Sequence, residues 1–177
     1  MFKKHQKCDI MVTEVLVMEK IGVTIGKFAP MHKGHQFLLE TALKEVDKMY
    51  VIVYETDVIK IPVEQRAEWI KKMYPDVNII YAKNPPSQYG LDDKSVKIQM
   101  DYMKKLLKDI NVTHFFSSEE YGKYAAKYLN AVDRRVDSKR EKFAISATKI
   151  RNDIDNNKKY LEENVYKDFI IGSGKIC

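Results

Sequence analysis

Apolar residues recur along this chain in two alternating rhythms. Continuous runs rich in β-branched and aromatic residues occur at 21–25 (IGVTI), 49–54 (MYVIVY), 77–81 (VNIIY) and 112–116 (VTHFF), with a weaker run at 131–136 (AVDRRV). Runs that are apolar throughout, with no polar alternation, are what strands buried on both faces require. Between them the apolar positions spread to helical spacing. Phe37, Leu38, Leu39, Ala42, Leu43 and Val46 mark a helix over 33–46, and a second covers 62–73 with Pro62 in its first turn. Val96, Met100, Met103 and Leu107 share one face of a helix over 93–107, and 119–129 gives another. The end, 147–165, reads as mainly helical with a very polar stretch at 156–159, and KNPPSQYG over 83–90 reads as loop. Strand and helix repeated five times predict an α/β fold: a doubly wound parallel five-stranded sheet with helices on both faces. Ligands of such sheets sit beyond the carboxyl ends of the strands.

Composition narrows the picture only a little. A chain of 177 residues can bury its own core, and residues 20–177 are expected to form one domain with a helical C-terminal segment. Residues 1–19 are harder to place: they read as an extension, disordered or preceding the true start, with Met11 and Met18 as alternative initiators. The net charge of +6 suits polyanionic small molecules. No Lys/Arg-rich block with interleaved aromatics stands out, so nucleic acid is not the expected partner. No apolar run reaches the length of a membrane span, and none forms the core of a signal peptide. Two cysteines at opposite ends, Cys8 and Cys177, suggest a reducing, cytoplasmic setting with no disulfide framework. His5 and Cys8 are three apart but have no further candidate ligands beside them.

The chemistry concentrates in two places. GKFAPMHKGH, residues 26–35, follows directly on the first strand. Gly26 lets the chain turn as the strand ends, Pro30 fixes the loop, and Gly34 allows close approach to the backbone. His32 and His35 bracket the first turn of the following helix, where unpaired N–H groups and the helix dipole favour an anion, and Lys27 adds a positive charge. FAISATKIR, residues 143–151, repeats that logic late in the chain: Ser146 or Thr148 can cap a helix whose first turns carry Lys149 and Arg151. On one parallel sheet the two blocks make a triphosphate clamp.

H-x-G-H early and I-S-x-T-x-x-R late resemble the signature of the nucleotidyltransferase superfamily. Within it, G-K-F-x-P-x-H is similar to the nicotinamide-nucleotide adenylyltransferases. VDSKR at 136–140, FSSEEYG at 116–122 and VEQRAEWI at 63–70 look like the adenylyltransferase domain of NadR-type proteins, the similarity covering residues 20–170. The resemblance implies a Rossmann-like sheet and transfer of AMP from ATP to nicotinamide mononucleotide, giving NAD and pyrophosphate, with Mg2+ entering on ATP and a homo-oligomer as one form of the enzyme. It implies that Lys27, His32 and His35 act at the reacting phosphates, with Gly26 and Phe28 of the same block against ATP. It also implies that Ser146, Thr148 and Arg151 grip the β- and γ-phosphates, and that Ser117, Ser118 and Glu119 line the adenine pocket. Arg66 and Trp69 would lie towards the acceptor nucleotide.

The family's loop after the third strand commonly supplies a tryptophan to the pyridine ring; here Asn84 and Tyr89 stand in that loop. No protein-only metal cage is expected. NadR-type proteins also carry a kinase opened by a P-loop, but GSGK at 172–175 does not meet that pattern, so kinase activity is not expected. Alternatives are adenylylation of phosphopantetheine, cytidylyl transfer to a small phosphate, or a silent nucleotide sensor. Lys27 argues against the first two, whose members more often have threonine or serine after the glycine.

Overall fold

The computed structural model describes residues 18–87 and 90–172. The expectations placed on Cys8, Cys177, His5, Met11, Tyr89 and the glycine–lysine run beyond Gly172 lie outside the described residues. Five strands, β1 (Ile21–Gly26), β2 (Lys48–Tyr54), β3 (Asn78–Ala82), β4 (His114–Ser117) and β5 (Val132–Arg135), pair in the order β3-β2-β1-β4-β5, and every pairing is parallel. The apolar runs end up where their composition demands. Val23 in β1, Val51, Ile52 and Val53 in β2 and Phe115 in β4 have no solvent exposure. β5 (VDRR) is polar because it is the sheet's edge, with Val132 exposed.

Helices α1 (Lys33–Ala42) and α2 (Val63–Met73) cover one face together with α5 (Ala147–Asn152), α6 (Ile154–Asn157) and α7 (Glu163–Gly172). Helices α3 (Asp93–Leu106) and α4 (Tyr121–Leu129) cover the other. This is the Rossmann-like, doubly wound architecture expected, and its order reverses between β1 and β4.

Two helical stretches are shorter than their periodicity predicts. α1 stops at Ala42, four residues before Val46, because the chain must return to lay β2 beside β1. Asp47 N–H donates to Lys20 O at 2.9 Å, and the Asp47 carboxylate accepts from Lys20 N–H at 2.7 Å. The final stretch breaks at Asp153 (φ −152, ψ 85), whose carboxylate caps α6 by accepting from Asn156 N–H. A short 3-10 turn, Lys158–Tyr160, then leads to α7. Asp and Asn compete with the helix for backbone groups, which is why so polar a segment fragments. No helix among the described residues is long and apolar enough to cross a membrane.

Candidate active site

A cavity of about 550 Å³ opens at the carboxyl ends of β1 and β4. That is the point where strand order reverses and where a doubly wound sheet leaves a crevice. Its floor is Thr24 to Gly26, and the loop after β1 brings Lys27 and Phe28 onto its wall. Phe28 is buried in a left-handed conformation (φ 47), and its ring lies 4.8 Å from that of His35.

His32 is the N-cap of α1, and His35 sits in its first turn. Their rings stack at 3.7 Å. The His32 backbone N–H donates to His35 Nδ1 at 3.3 Å. His35 is thereby held as the tautomer whose Nε2 carries the proton, a donor suited to a phosphoryl oxygen. Gly34 makes room beneath this pair: a Cβ there would stand 3.1 Å from the His32 ring, which would have to give by a few tenths of an ångström. His32 is buried, and its Nδ1 has no hydrogen-bond partner among the described residues. Burial, reinforced by the charge of Arg140, lowers its pKa to about 4. Burial also lowers His35, with His32 and Arg140 adding to the effect. Both are therefore neutral near pH 7 in the free protein.

A pH dependence of stability follows. Unfolded, His32 would titrate at its ordinary 6.5; folded, it titrates at about 4, so between those values the unfolded chain binds more protons. The native state is expected to lose roughly 3 kcal/mol as pH falls from 7 to 4, from this residue alone. Denaturant unfolding across that range checks it, with a His32→Asn variant showing a flatter profile.

The second block arrives on α5. Ser146 is its N-cap, accepting from Lys149 N–H at 3.2 Å, which decides between Ser146 and Thr148 as the capping residue. Arg151 bridges the two blocks: it donates to Ala29 O at 2.7 Å and to Thr148 Oγ1 at 3.0 Å. Ser146, Thr148 and Arg151 all line the cavity, as do Ser117, Ser118 and Glu119 after β4. Gly122 follows those serines closely; any Cβ there would collide with Ser117 Oγ.

The residues placed towards the acceptor fare differently. Trp69 has no solvent exposure, belongs to the core between α2 and the sheet, and donates its Nε1–H to Asp168 Oδ2 at 2.7 Å. Arg66 is buried too, donating to Ile61 O at 3.2 Å, to Tyr54 O at 2.8 Å and to Lys27 O. Neither is among the residues lining the cavity, although both were expected towards the acceptor; in this structure both hold the scaffold. Asn84 (φ 49) is exposed, donates its N–H to Glu55 Oε2 at 2.7 Å and also stands off the wall, whereas its neighbours Pro85 and Pro86 are on it.

The structure adds wall residues that the sequence did not single out, Tyr54 and Gln99, and brings Asp137 and Arg140 of the VDSKR run and Phe143 of the late block onto the same wall. Asp137 and Arg140 both have left-handed backbones, φ 50 and 55, at residues other than glycine. Nothing in a one-dimensional pattern marks that conformation.

A family model described as cytidylyltransferase-like matches residues 23–153. The chain belongs to that family. The matched region of this cytidylyltransferase-like protein contains the His block and all of the late block, Arg151 included. It is 31% identical over 118 residues to a phosphopantetheine adenylyltransferase of Fusobacterium nucleatum, a match covering 63% of this chain and 66% of that protein. Two solved structures share the fold. One is a NadR protein in complex with NAD and AMP-PNP, with TM-score 0.58 and 20% identity, covering 81% of this chain and 44% of that one. The other is a bifunctional NMN adenylyltransferase/ADP ribose pyrophosphatase from Francisella tularensis complexed with AMP and a manganese ion, with TM-score 0.60 and 20% identity, covering 89% of this chain and 54% of that one. The chain thus spans under two thirds of the length of each of these relatives.

Proposed function

We propose that this protein transfers the adenylyl group of ATP to nicotinamide mononucleotide. A phosphate oxygen of the acceptor attacks the α-phosphorus of ATP, the bond from that phosphorus to the bridging oxygen of the β-phosphate breaks, and pyrophosphate leaves with NAD formed. The observation that carries the reading is the cavity shared by Lys27, His32 and His35 on one side and Ser146, Thr148 and Arg151 on the other. Like-charged phosphates must meet in line there, and cations with fixed donors lower that barrier by positioning and by stabilising developing charge. His35 Nε2–H is the donor assigned to the reacting phosphoryl group, and Arg151 with the α5 N-terminus to the leaving pyrophosphate. Ser117, Ser118 and Glu119 are assigned to adenine.

The remaining wall, with Tyr54, Pro85, Pro86, Leu91 and Gln99, is largely apolar and carries no cation among the described residues. That supports an acceptor with an aromatic ring, and a wall without a cation suits the positively charged pyridinium of nicotinamide mononucleotide. Asn84 and Tyr89 belong to the loop beside it. Magnesium is assigned to the ATP phosphates. The carboxylates on the wall are Glu119 and Asp137, and Asp137 already accepts from Lys142 and Phe143 N–H, so the residues fit a metal held mainly by substrate oxygens and water.

A second reading, adenylylation of phosphopantetheine, is favoured by the Fusobacterium relative. Pyrophosphate release from Mg-ATP or Mg-CTP with a panel of acceptor phosphates separates the readings. Release with nicotinamide mononucleotide is the expected result; release only with phosphopantetheine or a polyol phosphate transfers the assignment. ATP binding without turnover on any acceptor makes the protein a sensor.

A further inference from the structure

The turn that carries Ser117, Ser118 and Glu119 is held from the neighbouring strand. β4 and β5 end side by side with Ser117 paired to Arg135, and Val136 N–H donates to Ser117 O at 2.9 Å. Successive strand residues point to opposite faces. Arg134 accordingly pairs with Glu45, just after α1, while Arg135 lies against the start of α4. Arg135 Nη1 donates to Glu119 O and Nη2 to Glu120 O at 2.9 Å. Its Nε donates to the Asp133 carboxylate, at 2.8 and 3.0 Å from the two oxygens, so Asp133 sets the plane of the guanidinium from behind.

The contacts converge on Glu119 O. Besides Arg135, that carbonyl accepts from Ser117 Oγ at 3.2 Å and from Gly122 N–H at 3.0 Å. Gly122 leaves the room for this: a Cβ there would stand 1.9 Å from Ser117 Oγ and 3.4 Å from Arg135 Nε. A guanidinium beside a helix N-terminus works against the helix dipole, which favours anions there. What the placement achieves is geometric. A rigid planar fork holds two successive carbonyls of one turn, which a flexible ammonium would not do.

We propose that Arg135, oriented by Asp133, is a positioning residue for the nucleotide base, fixing the turn over 117–120 so that Ser117, Ser118 and Glu119 meet the adenine already arranged. Arg135 is not among the residues lining the cavity, whereas Ser117, Ser118 and Glu119 are, so it acts through them. A turn ordered before binding spares the nucleotide the cost of ordering it. The proposal rests on the assignment of this turn to adenine, and it is independent of the acceptor.

The test is calorimetric binding, without acceptor, of Mg-ATP and of magnesium tripolyphosphate, which offers the phosphates and no base. The proteins are the wild type, Arg135→Gln, Arg135→Lys and Asp133→Asn. Arg135→Gln should weaken Mg-ATP binding about tenfold and leave tripolyphosphate binding unchanged within about twofold, because the base loses its preformed turn while the phosphate clamp stays intact. Arg135→Lys, which keeps the charge but not the fork, should recover part of the loss. Asp133→Asn should show a smaller loss of the same kind, confined to ATP. An arginine that only supports the fold would weaken both ligands together. Thermal unfolding identifies any variant that has lost its fold; if Arg135→Gln has, Asp133→Asn carries the same comparison. Equal weakening of ATP and tripolyphosphate, or unchanged ATP binding in a folded Arg135→Gln, overturns the proposal. A wild type that binds Mg-ATP no more tightly than tripolyphosphate overturns instead the adenine assignment beneath it.

Discussion

Replacing His35 with alanine should lower kcat by roughly 10²–10³, about 3–4 kcal/mol of barrier, while the protein still folds and binds ATP. The magnitude is that of a single fixed donor aimed at charge that develops in the transition state. The geometry argues for a donor role over an acid role: Nδ1 accepts the His32 N–H, and burial holds the imidazole neutral. His35→Gln, which supplies an amide N–H, should recover part of the rate. The split between parameters is the informative readout. A group that strengthens its contact only in the transition state changes kcat with little effect on the KM for ATP. An alanine variant turning over near the wild-type rate removes His35 from the chemistry. A large rise in KM with unchanged kcat makes it a ground-state phosphate ligand instead.

That prediction rests on residues legible in the sequence, because their chemistry and their local structure are written in the same ten positions. An apolar run ends at Gly26, a helix begins at Lys33, and two histidines bracket the junction. The late block was readable for the same reason: Ser146 is both the cap and the cavity residue. Sheet order was accessible as a class, since alternating strands and helices admit few arrangements. The loop at 137–143 was not accessible. Its shape depends on left-handed angles at Asp137 and Arg140, set by a carboxylate reaching five and six residues ahead, and the family resemblance of VDSKR carries none of that geometry.

The acceptor side is less legible in the sequence for a different reason. Val63, Arg66, Ala67 and Ile70 fall at the spacing of one helix face, and that face is the buried one. An arginine on it is unusual enough to suggest a ligand. The structure instead supplies three backbone carbonyls from the ends of β1 and β2 and from the approach to α2, which together satisfy the guanidinium. Arg66 therefore reaches the cavity only indirectly, by fixing the carbonyls of Lys27 and Tyr54, whose own residues are on the wall.

Trp69 offers the sharpest separation of scaffold from site. Trp69→Ala should destabilise the fold by about 3–5 kcal/mol, the usual range for deleting a large buried aromatic side chain. Two terms add. The indole is fully buried between α2 and the sheet, and its N–H is half of the contact that fastens α7 to α2 through Asp168, the other half being Gln65 Nε2 at 3.0 Å. Trp69→Phe keeps most of the volume and loses the indole N–H, so its cost should be about 1–3 kcal/mol, that of a hydrogen bond to a charged group. Chemical denaturation followed by circular dichroism measures both, since Trp69 is the sole tryptophan and its fluorescence disappears with it. The KM for the acceptor should be unchanged in the folded Phe variant, because nothing of the side chain meets the cavity. A Trp69→Phe protein that keeps its stability but loses acceptor affinity would return the indole to the binding site and displace the wall of Tyr54, Pro85 and Leu91 from that role.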